Sequence, residues 1–284
     1  MKRNSLIICR GGGDLATGIA HRLHRAGFRV LVLETDHPAA IRRQVSFCEA
    51  VYEGKATVEG VTAQRIDSVS EMEEVFAGGC VPLFVDSKGA SIAELHPDVV
   101  VDAIIAKKNL GTTKEMAPLV IGVGPGFTAG VDVDLVIESM RGHNLARILE
   151  EGSALPNTGI PGAIAGVAKE RVIHAECAGI LYGEKKISDY VQKDEVIAFI
   201  YPDTQGKDAS GQEKKDGAFA VRATISGILR GLIRDGYPVT KGFKIADIDP
   251  RESEYENCFT ISDKARCIAG GVLEALLHAG ILPE

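Results

Sequence analysis

The sequence contains no tryptophan, and only 5% of its 284 residues are aromatic. It also lacks an excess of basic side chains, because 32 Lys and Arg face 39 Asp and Glu, which gives a formal net charge of −7. Proteins that bind nucleic acids obtain most of their affinity by neutralising phosphates with Lys and Arg. The composition therefore excludes a broad basic surface for nucleic acid, and it leaves room only for a small local basic cluster.

Long hydrophobic runs are missing as well. No uninterrupted apolar stretch approaches the roughly 18 residues needed to span a bilayer. The apolar run at residues 6–9 stops at Arg10, which makes it too short for a signal-peptide core of about 7–15 residues. We therefore expect a cytoplasmic protein without a membrane partner.

Cysteine patterns typical of metal sites are absent too. The six cysteines are scattered, with no C-x-x-C pair and no local Cys/His ligand spacing. This distribution favours reduced, buried thiols and gives no reason to expect a metal site.

Glycine and aliphatic residues are abundant, with 32 glycines and 45% hydrophobic residues. A chain of this length usually forms about two domains. Aliphatic layers joined by glycine turns favour an α/β architecture.

A glycine-rich turn lies near the start of the chain. The apolar run 6–9 leads into Gly11-Gly12-Gly13-Asp14, after which Leu15, Ile19 and Leu23 recur at helical spacing, and residues 30–33 form a second apolar run. The pattern Gly11-x-Gly13-x-x-Ala16, with Glu34 about 20 residues further on, fits a dinucleotide-binding fingerprint. Backbone N–H groups of such a turn bind phosphate, and the acid accepts from ribose hydroxyls, which favours NAD over NADP. The alternative is that the glycines only make a tight turn and Glu34 is solvated.

Three further apolar runs, at residues 81–85, 99–105 and 119–123, predict buried strands that end in polar or glycine-rich residues. Ligands of open α/β sheets bind beyond the carboxyl ends of the strands, so these ends are expected to converge with the glycine turn on one rim. His143 and Lys107 are weak candidates for a catalytic role. The predicted ligand-binding residues are Gly11, Gly12, Gly13, Asp14, Glu34, Arg42, Lys107, Lys108, Gly124 and Gly126.

The second half of the chain contains an internal repeat. Residues 175–200 align with residues 223–248 at an offset of 48, with 10 identities in 26 positions and no gap. Each copy has a Gly-Ile-Leu strand start and a V-x-K turn, in which Gly242 of the second copy is replaced by Asp194 in the first. The pattern resembles a carrier barrel, but the connection at residues 202–217 has no Met-Lys-Met, so no covalently bound biotin or lipoate is expected.

The fold class predicted from these patterns is α/β. It comprises an N-terminal Rossmann-like parallel sheet, a C-terminal β-barrel of the biotinyl/lipoyl (barrel-sandwich hybrid) type, and a C-terminal helix capped by Ser262. The expected divisions are a nucleotide-binding domain at 1–150, a packed crossing segment at 151–170, a pseudo-two-fold barrel at 171–260 and the helix at 261–284.

Seven short motifs are spread along the chain. They are Gly-Gly-Gly-Asp-Leu-Ala-Thr-Gly-Ile-Ala-His-Arg-Leu (11–23), Ala-Lys-Lys-Asn (106–109), Gly-Pro-Gly-Phe-Thr-Ala-Gly (124–130), Arg-Gly-His (141–143), Asn-Thr-Gly-Ile-Pro-Gly (157–162), Asp-Pro-Arg (249–251) and Ser-Asp-Lys-Ala-Arg (262–266). Taken together, these motifs resemble the YqeB-type family, which is associated with selenium-dependent molybdenum hydroxylases. The resemblance extends from about residue 5 to 277, and it implies an accessory or maturation role, with a molybdenum hydroxylase as partner.

Three hypotheses follow for the function. The first is an accessory protein that binds a nucleotide-bearing ligand, such as a molybdopterin-type nucleotide, at the glycine-rich rim and presents it to a partner enzyme. The second is an NAD-dependent oxidoreductase that acts on a small metabolite, with His143 or Lys107 as proton donor. The third is a structural scaffold in which the glycines serve only the fold.

Overall fold

The computed structural model describes residues 5–157, 159, 166–202 and 217–283. The chain forms two compact units. Within the described residues, the first unit comprises 5–38, 45–157 and 260–283, and the second comprises 39–44, 159, 166–202 and 217–259. None of the described helices is both long enough and apolar enough to cross a bilayer.

The first unit is built on a nine-stranded sheet in the order β10-β9-β7-β6-β1-β2-β5-β4-β3. The five strands predicted from apolar runs are all present, and the fourth of those runs, 99–105, ends as a strand at Asp102. The strands of this sheet are β1 Leu6–Arg10, β2 Arg29–Glu34, β3 Lys55–Val58, β4 Val61–Ile66, β5 Val81–Val85, β6 Val99–Asp102, β7 Leu119–Val123, β9 Leu135–Ile137 and β10 Ile148–Leu149, and β8 Thr128–Ala129 pairs separately with β11 Gly152–Ser153.

The expectation of a purely parallel, Rossmann-like sheet is wrong, because the sheet is mixed. The seven inner strands pair in parallel, in the order β9-β7-β6-β1-β2-β5-β4, whereas β3 and β10 add to the two edges antiparallel to their neighbours. The hairpin between β3 and β4 turns at Glu59 and Gly60, whose φ angles are 45° and 80°. Two consecutive positive φ angles are the geometry that joins antiparallel strands through a two-residue loop. A Glu-Gly pair gives a weaker sequence signal for such a turn than Asn-Gly.

Two long helices pack together in the first unit. Helix α1 buries its apolar face, which includes Ile19 and Leu23, as its spacing predicts. In α5, the Ser262 side chain accepts a hydrogen bond from the Ala265 N–H, which confirms the predicted cap. A Cβ atom built on Gly18 would lie 2.8 Å from the Cβ of Ala265, so the two helices approach closely there. The helices are α1 Asp14–Arg25, α2 Ala50–Glu53, α3 Met72–Ala77, α4 Ser91–Leu95 and α5 Asp263–His278.

The second unit contains two four-stranded antiparallel sheets, in the orders β12-β19-β17-β14 and β16-β15-β13-β18. The expectation of a closed barrel of the biotinyl/lipoyl type is therefore wrong, since each sheet has its own edge strands. Each sheet takes two strands from one repeat copy and one from the other. The strands are β12 Val172–His174, β13 Gly179–Gly183, β14 Tyr190–Val191, β15 Val196–Tyr201, β16 Phe219–Arg222, β17 Gly227–Leu232, β18 Tyr237–Val239 and β19 Lys244–Asp249.

The internal repeat itself is present in the backbone. Gly179 and Gly227, which are equivalent in the two copies, have φ angles of 157° and 154°. Asp194 has a φ of 68° where its equivalent Gly242 has 84°, so the turn is left-handed in both copies, as the alignment predicts. Lys207, Lys214 and Lys215 of the connection lie outside the described residues, as do residues 158 and 160–165 of the crossing segment.

Candidate functional site

The candidate site lies where the order of the strands in the large sheet reverses. From β1 the chain moves to one side through β2 and later returns to the other side of β1 with β6. Open α/β sheets bind ligands in the crevice outside the carboxyl ends of the strands at such a point. Arg10 ends β1 and is paired in register with Asp102, which ends β6. The glycine turn follows directly after Arg10 and therefore lies at this point of the sheet.

Each of the three glycines in the turn has a different surrounding. Gly11 has a φ of 99°, and a Cβ atom built on it would lie 3.0 Å from the carbonyl oxygen of Ala103. A Cβ built on Gly12 would lie 3.0 Å from the backbone nitrogen of Cys48. Gly13 is the N-cap of α1, receives no side-chain cap, and would place a Cβ atom in open space. The turn is therefore packed tightly beneath Gly11 and Gly12 and is open at Gly13.

Glu34 holds the turn from the end of β2. One carboxylate oxygen accepts a hydrogen bond from the Gly12 N–H at 2.8 Å, and the other accepts from the Thr35 N–H at 2.6 Å. Burial raises the pKa of Glu34, and these two bonds act against the rise. The carboxylate was expected to face a ribose. In the structure it fixes the backbone of the glycine turn.

We expect Glu34→Gln to lower the free energy of unfolding by about 1–3 kcal/mol, because the amide would place an NH₂ group against one of the two backbone donors and leave that donor unsatisfied. Urea unfolding followed by far-UV circular dichroism measures this loss, and Glu94→Gln on the exposed surface is the control. An unchanged midpoint for Glu34→Gln would show that the carboxylate does not hold the turn.

Residues 46–48 close the other side of the turn, which the sequence patterns did not indicate. The Cys48 N–H donates to the carbonyl oxygen of Gly12 at 2.9 Å, and the Phe47 N–H donates to Thr17 Oγ1 at 2.8 Å. Thr17 in turn donates through Oγ1 to the Gly12 carbonyl at 3.0 Å. Burial raises the pKa of the Cys48 thiol well above its ordinary value. Burial thus favours the neutral thiol of Cys48.

A buried polar cluster lies beneath the turn. The side chains of Arg10 and Asp102 are only 2% and 1% exposed, and Arg10 Nη1 lies 3.7 Å from Asp102 Oδ2. Thr112 joins them: its Oγ1 accepts from Arg10 and donates to Asp102 at 2.5 Å. Burial raises the pKa of Asp102, while the bonds from Thr112 and Ile104 and the charge of Arg10 act against the rise. We call Arg10, Asp102 and Thr112 the buried triad.

The loop after β6 is shaped by this cluster. The Ile104 N–H donates to Asp102, and Asn109 Oδ1 accepts from the N–H groups of Gly111 and Thr112. Ile105 and Lys107 have φ angles of 60° and 62°. Left-handed backbone at non-glycine residues costs about 1–3 kcal/mol each and clusters at functional sites. This strained loop carries the exposed, predicted ligand-binding residues Lys107 and Lys108.

The loop after β7 packs against the loop after β6. A Cβ atom built on Gly126, at a φ of 116°, would lie 2.7 Å from the Lys108 backbone, and one built on Gly124 would lie 2.6 Å from Ser139 Oγ. Gly126 therefore permits the close approach of two backbone segments, and Gly124 leaves room for the side chain of Ser139. The contact brings Gly126 and Lys108 together, as expected for residues of one rim.

Other predicted residues lie elsewhere. Arg42 belongs to the second unit, where it is nearly buried and donates through Nη2 to the carbonyl oxygen of Asn257 at 2.9 Å. Arg42 therefore belongs to the second unit and not to the unit that carries the glycine turn. His143 is exposed in the connection between β9 and β10, and its carbonyl oxygen accepts from Arg147. Neither observation assigns His143 a catalytic role.

The N-terminal end of α5 carries two charged side chains, those of Asp263 and Lys264. Arg141 makes a bidentate ion pair with Asp263, with Nη–Oδ distances of 2.8 and 3.0 Å. Burial lowers the pKa of Lys264, as does the charge of Arg141, while Asp14, Glu138 and Asp263 act in the opposite direction. Lys264 is thus near Asp14 of the glycine turn, although the two residues are far apart in sequence.

The six cysteines are all free thiols. Cys9, Cys48 and Cys258 are buried, as expected, whereas Cys267 is exposed. Among the described residues no group of three His, Cys, Asp or Glu side chains is arranged to hold a metal ion.

The chain is similar along nearly its whole length to a curated protein. It is 45% identical over 281 residues, 98% of its length, to the uncharacterized protein YqeB of Escherichia coli (strain K12). This similarity confirms the predicted resemblance to YqeB-type proteins. The chain spans only 49% of the length of that relative. No family model matches the chain.

Solved structures give only distant similarities. The product-bound ectoine utilization protein EutE (DoeB) from Ruegeria pomeroyi is 11% identical, with 87% of this chain and 86% of that chain covered and a TM-score of 0.27. A succinylglutamate desuccinylase/aspartoacylase from Rhodobacter sphaeroides is also 11% identical, with coverages of 88% and 86% and a TM-score of 0.28. Scores this low do not establish a common fold.

Proposed function

We propose that the first unit binds a nucleotide-bearing anionic ligand at the glycine turn, and that the protein acts as an accessory factor in the maturation of a selenium-dependent molybdenum hydroxylase. The observation that carries the binding proposal is the contrast within the turn. Gly11 and Gly12 are fixed by close backbone contacts, while Gly13 has no side chain to cap the 12-residue helix that follows and leaves open space beside its N-terminus.

The chemistry of this end of the helix favours a phosphate. The first N–H groups of a helix have no intrahelical acceptor, and the helix dipole adds partial positive charge there. The glycine turn that precedes the helix fixes the direction of these N–H groups. Glu34 accepts a hydrogen bond from the Gly12 N–H, and the Cys48 N–H donates to the Gly12 carbonyl oxygen. An anion that binds at Gly13 therefore meets donors that are already oriented.

The hydrogen bonds of Glu34 bear on the class of ligand. An NAD-dependent oxidoreductase was the alternative, and its main support was the carboxylate of Glu34 as a ribose acceptor. Since both oxygens of Glu34 accept from backbone N–H groups, that support is weakened. A molybdopterin-type nucleotide carries the same phosphates, and the motif resemblance to proteins of molybdenum hydroxylase systems favours it over NAD.

A thermal-shift panel tests the binding proposal. The ligands are NAD, NADP, S-adenosylmethionine, CTP and molybdopterin species. A ligand at 100 times its Kd stabilises by about 2.7 kcal/mol, which corresponds to several degrees in Tm. We expect the molybdopterin nucleotide to raise the Tm. A rise with NAD alone would favour the oxidoreductase, and unchanged curves for every ligand would refute a nucleotide site.

Two variants of Gly13 sharpen this test. Its φ of −66° suits any residue, and the space beside it is open, so both Gly13→Ala and Gly13→Leu are expected to fold normally. The leucine side chain would occupy the ligand space and weaken binding at least about tenfold, or about 1.4 kcal/mol. Gly270→Leu is the control, because a Cβ at this position in α5 also points into open space. Equal affinity for Gly13→Leu and Gly270→Leu would place the ligand elsewhere.

The accessory role needs a cellular measurement. Cells that carry only the Gly13→Leu protein are expected to assemble the partner hydroxylase without active cofactor, whereas Gly270→Leu cells retain its activity. Full hydroxylase activity with Gly13→Leu would contradict the accessory role. It would not contradict the proposal that the purified protein binds a ligand at Gly13.

A further inference from the structure

A lysine of α5 lies on the part of that helix that packs against α1. Lys264 is the second residue of α5, whose N-terminal part packs on α1 where Gly18 meets Ala265. Its amine lies close enough to Asp14 and Glu138 to interact with both electrostatically. The packing of the two helices thus brings Lys264 to the end of α1 where Gly13 is open.

The neighbouring charged groups are already committed to other partners. Arg141 directs its guanidinium to both oxygens of Asp263. Glu138 is buried, and its two oxygens accept from the N–H groups of Met140 and Leu155 at 2.6 and 2.8 Å. Among the described residues, the amine of Lys264 makes no ion pair or hydrogen bond. It is therefore a half-buried cation whose donors remain available.

The positive charge of Lys264 matters for an anion site because Asp14 carries a negative charge at the same end of α1. A carboxylate one residue after Gly13 would repel a phosphate that binds at the helix end. Asp14 Oδ1 accepts from the Leu15 N–H, which keeps the carboxylate at the first turn of α1. The positive charge of Lys264 offsets it, and a lysine amine is a common point-charge contact for phosphate.

We propose that Lys264 is a ligand-contacting residue that donates hydrogen bonds to the phosphate groups of the molecule bound at Gly13. The inference rests on the proposed function, and it narrows the ligand to one that carries a phosphate or pyrophosphate at the junction of α1 and α5.

Inorganic pyrophosphate is the probe, because it is the part that NAD and molybdopterin dinucleotides share. Isothermal titration compares the unchanged protein with Lys264→Met, Lys264→Arg and Lys241→Met, an exposed lysine of the second unit. We expect Lys264→Met to weaken binding at least about tenfold, Lys264→Arg to retain it within about threefold, and Lys241→Met to have no effect. Thermal melts establish whether each variant folds. If Lys264→Met does not fold, the comparison of Lys264→Arg with the unchanged protein still tests the proposal.

The outcomes separate the two proposals. Absence of pyrophosphate binding by the unchanged protein would overturn both the phosphate site and the assignment of Lys264. Binding that Lys264→Met leaves intact would overturn the assignment of Lys264 alone.

The pH dependence of binding provides a second readout. The groups that face Lys264 are Asp14 from α1, Glu138 and Arg141 from the connection after β9, and Asp263 from α5. Because burial and Arg141 lower the pKa of Lys264, its amine loses charge at lower pH than an ordinary lysine does. Pyrophosphate affinity is therefore expected to fall as the pH rises through this lowered pKa, and Lys264→Arg is expected to abolish the fall. The same alkaline loss in Lys264→Met would contradict the assignment.

Discussion

Arg10→Met is expected to lower the free energy of unfolding of the first unit by about 3–5 kcal/mol at neutral pH, since removal of one partner leaves a buried charge without compensation. Arg10 and Asp102 are almost completely buried, and Thr112 bonds to both. The loss is measured by urea unfolding with far-UV circular dichroism, because the chain has no tryptophan. Hydrogen exchange in β1 and β6 assigns the transition to the first unit.

The loss has a defined pH dependence. The pKa of Asp102 is already raised by burial, and without the charge of Arg10 it is expected to rise further. A carboxyl whose folded-state pKa lies above its unfolded value binds its proton first in the folded state, so the folded state gains stability as the pH falls through that pKa. The deficit of Arg10→Met relative to the unchanged protein is therefore expected to shrink under acidic conditions.

Two control variants test whether the loss in Arg10→Met comes from the buried charge of Asp102. Arg141→Met removes an exposed ion pair, in which Arg141 is 48% and Asp263 75% exposed, and such pairs contribute about 0–1 kcal/mol. The double variant Arg10→Met/Asp102→Leu replaces the buried charges by apolar side chains and is expected to lose less than the sum of the single losses. Additive losses, or an Arg10→Met deficit no larger than that of Arg141→Met, would show that the buried triad is not coupled.

The order of elements around the glycine turn could be predicted because its signals are local. An apolar run, three glycines and a helical spacing of Leu15, Ile19 and Leu23 lie next to one another in sequence. The internal repeat was detectable for a similar reason, since Gly179 and Gly227 need the same backbone geometry and therefore keep the same residue. The α5 cap at Ser262 is also a local pattern.

The remainder depends on long-range pairing that spacing does not encode. Arg10, Asp102 and Thr112 meet only because β1 and β6 are neighbours in register. Each strand ends in a charged residue after an apolar run, which was the available signal for a buried pair. Arg42 was assigned to the rim because it follows β2 in sequence, but residues 39–44 join the second unit. Lys264 comes to the site through the packing of α5 on α1.

The carrier-like barrel was wrong for a reason visible in the strand pairing. A repeat of turn and strand patterns specifies which strands form and which face is buried, but not which strands pair. In the second unit β13 pairs with β15 of its own copy and with β18 of the other copy. Likewise β17 pairs with β19 and with β14. The alternation of side chains is compatible with this arrangement in two sheets as well as with a closed barrel.

Gly179→Ala and Gly227→Ala are each expected to lower the free energy of unfolding of the second unit by at least about 3 kcal/mol. Severe backbone strain and overpacking have costs of this size. A Cβ atom at either position would lie 2.2 Å from a carbonyl oxygen, that of Tyr201 for Gly179 and that of Asp249 for Gly227. Both acceptors belong to backbone of the sheets, so the clash cannot be relieved by turning a side chain.

Gly236→Ala separates the cost of steric overlap from the cost of placing alanine in a left-handed backbone conformation. Gly236 has a φ of 77° and open space around it, so alanine there meets no atom and incurs only the left-handed backbone cost of about 1–2 kcal/mol. Hydrogen exchange of β13, β15, β17 and β19 measures all three variants, with exchange in β1 as the internal reference. Because the two glycines occupy equivalent places in the two sheets, their losses are expected to be similar and to exceed that of Gly236→Ala. A loss at Gly179 or Gly227 no greater than at Gly236 would mean that the backbone can move away from the added methyl group, and that the repeat does not require glycine there.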